Sequence, residues 1–336
     1  MSTKQTYTDL IPAHLQPKSD ELLSSWLVRL ALAYRMPPNK FYSLLLPQHP
    51  IFPTYVDETD NVFLSARLED AIGVSEARVK ATTLTTYESV FVTYHSRGRL
   101  GERTVLLQWI LPISHQHSPY NLYGLQYCPS CLSEDEAPYF RRRWRLAFIS
   151  MCEIHHVLLL DSCERCGLPI DFRRNASEGQ KKKRRTFATT KCYSCNFDVR
   201  DASTTAPPQS TFADDLSFQE TMLKVLGKRE IITPKGENYL VDSLFDRLYS
   251  LTELLAFGES GRFIRTQLCK RYDLRTFSVT QTQGHRSVET LRVRERFRLI
   301  RVAGRAMREW PDDLLHFRPH YKPRLPDPLL VEASFQ

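Results

Sequence analysis

Helix-spaced apolar residues towards both ends and four short Cys/His pairs in the middle predict a mainly α protein with small zinc-ribbon β elements. The 336 residues divide on this reading into three regions: an N-terminal helical region with a helix-turn-helix (1–120), a tandem zinc-finger module (121–200) and a C-terminal helical, arginine-rich domain (201–336).

The pairs carry the most weight. Seven of the eight cysteines, with one histidine, fall into Cys128-x2-Cys131, Cys152-x2-His155, Cys163-x2-Cys166 and Cys192-x2-Cys195. A C-x2-C turn puts two sulfurs on one side of a metal, and zinc takes four thiolate or imidazole donors. Four pairs complete two such shells, which predicts two structural Zn2+ ions per chain. Taken in chain order, Cys128, Cys131, Cys152 and His155 form one shell around a 20-residue loop, and Cys163, Cys166, Cys192 and Cys195 form the other around a 25-residue loop. Both lie near the usual zinc-module spacings. An interleaved, cross-brace pairing satisfies the same spacing and stays open. His156 is the second candidate to His155. Cys269 stands alone and reads as a buried small apolar residue.

Other chemistries lack their residues. The polar start MSTKQTYTDL has no apolar h-region, so the expected compartment is reducing and disulfides are not expected. No apolar run approaches the ~20 residues that span a bilayer. Neither a G-x-G-x-x-G nor a G-x-x-x-x-G-K-[ST] loop occurs. No H-x-E partner precedes a P-C-x-x-C, as zinc deaminases require. Glu134, Asp135 and Glu136 are adjacent in sequence and read as an exposed acidic turn, not as converging catalytic carboxylates. The chain is expected not to be an enzyme.

Charge points to a polyanion. The net charge is +8, and Arg262–Arg308 alone holds thirteen Lys/Arg against three acidic residues. Two shorter basic runs lie in the cysteine-rich region: Arg141, Arg142, Arg143 and Arg145 around Trp144, and Lys181, Lys182, Lys183, Arg184 and Arg185. Clustered cations attract phosphate backbones through counterion release. Both runs are therefore candidate partner or nucleic-acid contacts, the first expected to project from an ordered surface.

Along the chain, Leu22, Leu23, Trp26, Leu27, Leu30 and Tyr34 recur at helical spacing. Ser19 or Asp20 is expected to cap this helix and Pro37-Pro38 to end it, with a short helix from Asn39 to Leu46 following. Residues 64–86 read as a helix-turn-helix: Leu68 and Ile72 close the first helix, Gly73 turns, and Ser75 caps a second helix carrying Val79. Its exposed Glu76, Arg78 and Lys80 would face DNA or a protein partner. Residues 89–125 read as a connector with a hairpin. Segments 156–160 and 168–172 are expected to flank Cys163 as ribbon strands. After a linker at 202–211, helices are predicted at Asp214–Leu226, Asn238–Phe257 and Ser287–Trp310. The last has Leu291, Phe297, Ile300, Ala303 and Met307 inward and arginines over the rest. A proline-rich tail from Pro319 to Pro328 is expected to lie extended.

Several of these stretches resemble the TniQ/TnsD family of transposon target-selection proteins. They are Glu21-Leu22-Leu23-Ser24-Ser25-Trp26-Leu27-Val28-Arg29-Leu30-Ala31, then Tyr127-Cys128-Pro129-Ser130-Cys131-Leu132, Pro138-Tyr139-Phe140-Arg141-Arg142, Trp144-Arg145-Leu146, Cys152-x2-His155, and Asp161-Ser162-Cys163-x2-Cys166-Gly167. The resemblance covers about residues 20 to 200. It implies a bacterial, cytoplasmic, DNA-associated adaptor without catalysis. Its length is similar to that of the short members, which ride on a CRISPR RNA-guided effector complex (Cascade, with its crRNA), act as head-to-tail homodimers and relay target choice to an AAA+ transposition regulator. The alternatives are a direct, TnsD-like reader of target DNA and a zinc-ribbon, helix-turn-helix transcription regulator.

Overall fold

The computed structural model describes residues 15–47, 55–91, 93–97, 103–114, 121–176, 188–208, 212–228, 230–232, 238–280 and 287–308. It is mainly helical, in agreement with the predicted class. Two compact units interleave along the chain: one takes residues 1–87, 111–146 and 157–205, the other 88–110, 147–156 and 206–336. The units are drawn by contact, across the three regions drawn along the sequence.

The first unit is built on α1 (Leu23–Ala33), α2 (Pro38–Leu45), α3 (Val62–Ile72) and α4 (Glu76–Lys80). Leu23, Trp26, Leu27 and Leu30 of α1 meet Phe41 and Leu45 of α2, Leu64 and Leu68 of α3, and Val79 of α4 in one buried core. Burying each large side chain contributes roughly 1.5–3 kcal/mol. Trp26 is core, as predicted, and its indole N–H donates to Leu15 O at 2.7 Å.

Neither predicted end of α1 is where local signals put it. Leu22 is the N-cap and has no side-chain bond, while Asp20 sits at φ 57 outside the helix. The orphan N–H groups of the first turn are met from far along the chain: Leu23 N–H by Thr82 O, and Ser24 N–H by the Asp57 carboxylate. At the other end Met36 N–H bonds Ala31 O and Arg35 N–H bonds Leu32 O, with Arg35 at φ 51. That is a Schellman closure with arginine in the usual glycine place. Pro37 and Pro38 then open α2, where a missing N–H costs nothing.

The helix-turn-helix pattern is present but short. Asn61 caps α3 through Leu64 N–H at 3.0 Å, and Gly73 turns at φ 73. Ser75 occupies the N-cap of α4 without a side-chain bond, and α4 has five residues, ~7.5 Å of helix.

The cysteine-rich stretch has α5 (Pro129–Glu134) and isolated antiparallel bridges, Tyr127 with Leu160, Ser162 with Pro169 and Lys191 with Asp198. These bridges stand where longer ribbon strands were expected.

The second unit carries a hairpin, β1 (Thr93–Arg97) with β2 (Arg103–Leu107), inside the predicted connector. It also has α6 (Phe212–Val225), the short pair β3 (Glu230–Ile232) and β4 (Asn238–Leu240), then α7 (Val241–Ala256), α8 (Gly258–Arg271) and α9 (Val293–Arg308). Residues 238–240 are thus strand and not the start of α7. Helix α9 begins at Val293, after a single 3-10 turn at Val288–Thr290. Helix α8 was not predicted. Its inward face holds Gly261, Arg265 and Cys269 beside Ile264 and Leu268, a mixture that does not read as an apolar stripe. Cys269 is fully buried, as expected. Trp109 meets Phe148 and Tyr249 edge-to-face, and Phe148 packs tilted on Phe245, which with Tyr249 belongs to α7.

Arginines of α9 do not simply cover its outer surface. Arg296 is buried and donates to Ala147 O and Leu291 O, while Arg301 and Arg305 both grip Asp215 of α6 at 2.8 and 2.7 Å.

Candidate metal centres

Three of the four ligand pairs share one local geometry. The residue after the second ligand takes a left-handed conformation: His156 at φ 56, Gly167 at φ 71 and Asn196 at φ 59. Its N–H returns to the carbonyl of the first ligand, from His156 to Cys152 at 2.9 Å, Gly167 to Cys163 at 2.8 Å and Asn196 to Cys192 at 3.0 Å. Each pair is therefore a tight knuckle that points two donors the same way. Glycine and asparagine suit this φ. His156 fills the same place, so His155 is the residue aimed at the cluster, and the His156 ring instead lies 5.3 Å from the Phe212 ring. The fourth pair is different. Cys128 is the N-cap of α5 and Cys131 lies in its first turn, so a helix spaces these two sulfurs.

The knuckles assemble in chain order. Donor atoms of Cys128, Cys131, Cys152 and His155 all lie within 4.8 Å of one another, as do those of Cys163, Cys166, Cys192 and Cys195. A tetrahedral shell with metal–sulfur bonds of ~2.3 Å has donor–donor edges of ~3.8 Å. The separations fit: 3.5 Å for Cys163 and Cys195, 3.7 Å for Cys166 and Cys192, and 3.6 Å from Cys152 Sγ to His155 Nδ1. The interleaved pairing left open by the sequence is not the one formed. Each cluster can hold one metal ion.

Backbone donors prepare the sulfurs for negative charge. His155 N–H points at Cys152 Sγ at 3.4 Å. Burial pushes the thiols of Cys163 and Cys192 up, against backbone N–H groups that favour the thiolate. At Cys195 the small burial cost is outweighed by Phe197 N–H and the neighbouring thiols, and its thiol is held down.

The first basic run lies beside the first cluster but does not project from it. Arg145 is 1% exposed, donating twice to Leu111 O and pairing with Glu58 at 2.5 Å and Asp57 at 3.5 Å. Arg141 is buried between the Tyr139 and Trp144 rings and pairs with Asp135 at 3.0 Å. That pairing also takes Asp135 out of the expected exposed acidic turn. Arg142 binds Thr86 Oγ1, Thr83 O and Asp20 and lies over the Tyr87 ring. Arg143, a third exposed, pairs with Asp20 at 2.5 Å. The four arginines therefore fasten α1, its flanking turns and the 3-10 turn Arg142–Arg145 together. The expectation that they grip a partner is corrected for Arg141 and Arg145, whose charges are spent inside. Arg78 is exposed and donates to Pro17 O, and Lys80 is exposed and pairs with Asp60 at 2.8 Å. Lys181, Lys182, Lys183, Arg184 and Arg185 lie outside the described residues.

Residues 12–159 match the family model described as TniQ. The chain carries a TniQ domain. The TniQ domain includes α1 to α5, all four arginines of the first basic run and the complete first cluster, while the second cluster, from Cys163 to Cys195, follows it. The match covers 148 of the 336 residues and suggests a role in target selection for DNA transposition. A search of curated proteins found no match. Among the described residues no helix is long and apolar enough to cross a membrane.

Sequence reasoning missed Asp57. It is fully buried, accepts from Ser24 N–H and Oγ–H and meets Arg145. Only the family-like Ser24-Ser25 step next to Trp26 hinted that a polar partner was needed there.

Proposed function

We propose that this TniQ-domain protein is a non-catalytic adaptor. It docks on an RNA-guided CRISPR effector complex (Cascade with its crRNA) at the target and recruits an AAA+ transposition regulator to it. The observation that carries this reading is the five-residue α4. A major-groove reader inserts the N-terminal part of a longer recognition helix, whereas α4 spans ~7.5 Å and spends Val79 on the core. Target choice then has to come from a partner, and base pairing to a guide supplies it.

In this reading the two clusters hold Zn2+, the ion that four-donor thiolate and imidazole shells suit. A filled shell leaves no open position for water, so the metal contributes rigidity, on the order of 10 kcal/mol of folding free energy per site. The chain works as a homodimer, which presents each docking surface twice.

Co-purification tests the proposal. The chain should be retained by the purified effector complex in the absence of free DNA, and should then retain the AAA+ regulator. Light scattering should give twice the 39.1 kDa chain mass. Tight sequence-selective binding to naked duplex, with no retention by the effector, would favour the direct reader instead.

A further inference from the structure

The four arginines of the 141–145 run and three at the end of α9 meet a carboxylate, which sets them apart from others that the sequence offered to a polyanion. On α8 the buried face is Gly261, Ile264, Arg265, Leu268 and Cys269. Its solvent side presents Arg262 and Lys270, both exposed, about two turns or ~12 Å apart along the axis. Arg275 is exposed in the segment that follows, and Arg298 is exposed on α9. Among the described residues, none of these four has a carboxylate within ion-pair distance. Along α9, Arg298, Arg301, Arg305 and Arg308 share one stripe, but α6 supplies Asp214 and Asp215 only to the last three.

The unmatched cations are held in place. The Phe277 ring carries the Arg265 guanidinium at 5.2 Å and that of Arg298 at 5.9 Å. Thr280 N–H bonds Glu295 Oε1 at 2.6 Å. The segment that bears Arg275 is thus pinned between the end of α8 and α9. Glu259 and Asp273 are the exposed carboxylates of the same elements. They leave an excess of positive charge.

We infer that Arg262, Lys270, Arg275 and Arg298 form a contact surface for the phosphate backbone of duplex DNA. The choice of DNA rests on the proposed function, since the site of insertion is a duplex. Over ~12 Å a duplex presents roughly seven charges, a dense match for cations on a straight helix face. Unpaired strands want open aromatic platforms. Phe277 is already covered by two guanidinium groups, and Phe263 on α8 is 43% exposed.

The test is fluorescence anisotropy of the metal-loaded full chain with a labelled duplex of arbitrary sequence across a salt series. Arg262→Gln/Lys270→Gln/Arg275→Gln/Arg298→Gln should weaken binding roughly 10-fold or more and flatten the log–log salt dependence by about 3 to 4. The pair Arg262→Gln/Lys270→Gln should fall between. A control removing the same charge elsewhere, Arg35→Gln/Lys40→Gln/Arg67→Gln/Lys228→Gln, should bind like the parent. Equal losses in the two quadruple variants, or an unchanged curve for the first, would overturn the surface. Tighter binding to a single strand that Phe263→Ala abolishes would overturn the duplex assignment. If deleting the chain left insertion sites unchanged, the proposed function would fall and this contact would stand. An unchanged binding curve does the reverse.

Discussion

Asp57 closes the start of helix α1 across 33 residues of sequence: its Oδ1 accepts Ser24 N–H at 2.7 Å and its Oδ2 accepts Ser24 Oγ–H at 2.8 Å. A carboxylate at a helix N-terminus is favoured by the orphan donors and the macrodipole, but a fully buried one must be matched completely. Asp57→Ala leaves the two buried Ser24 donors without an acceptor and leaves Arg145 with Glu58 as its carboxylate, and should cost about 3–5 kcal/mol. Chemical denaturation of the metal-loaded protein checks this, and a loss below ~1 kcal/mol would contradict the capping role.

Arg145 and Arg143 lie two residues apart and should behave oppositely. Arg145→Ala strands Asp57 and Leu111 O in the interior, again about 3–5 kcal/mol. Arg143→Ala removes a partly exposed pair with Asp20, worth about 1 kcal/mol or less. Melting curves of the two variants side by side decide it. Equal losses would return Arg145 to the surface role that the sequence suggested.

Glu253 gives the protein a pH dependence. Burial first, and then the neighbouring Glu289 carboxylate, raise it from 4.5 to about 7, although Val288 N–H opposes the shift. The folded chain therefore keeps a proton that the unfolded chain releases earlier. Its penalty is absent below the unfolded value and grows until pH passes about 7, reaching at most ~3 kcal/mol. Glu253→Gln keeps an acceptor for Val288 and should make stability flatter between about pH 5 and pH 8. Parallel slopes for the two proteins would contradict the assignment.

Gly261 holds α8 close against the backbone of α7. A Cβ there would stand 1.9 Å from Leu254 O, a backbone atom that cannot swing aside. Helix propensity favours Gly261→Ala by about 1 kcal/mol, but overpacking costs about 1–3 kcal/mol and moves a helix. The variant should be less stable in urea. A stabilised variant would mean that the two helices separate easily.

How much was legible in the sequence depends on whether the cause was local. The four ligand pairs were, because a knuckle is a property of four or five consecutive residues. His155 could be told from His156 by spacing alone, and the left-handed turn at His156 is the physical reason. The Gly73 turn and the apolar face of α1 were readable for the same reason. The caps of α1 were not, since Thr82 and Asp57 arrive from elsewhere in the chain. Helix α8 was hidden because Ile264 and Leu268 share its inner face with a glycine, an arginine and a cysteine, which blurs the apolar stripe. The basic run at 141–145 misled because composition gives charge without burial. Asp57 and Glu58 had to be placed before Arg145 could be seen as interior, and Asp135 before Arg141 could.

Metal counted per chain, for the parent and for two neighbouring histidine variants, bears most directly on the two-cluster scaffold. The parent should carry two zinc ions, one for each four-donor group, His156→Ala should keep both, and His155→Ala should lose the ion at Cys128, Cys131 and Cys152 together with much of its resistance to unfolding. A parent with no bound metal, or a His156 variant that loses an ion while the His155 variant does not, would contradict it.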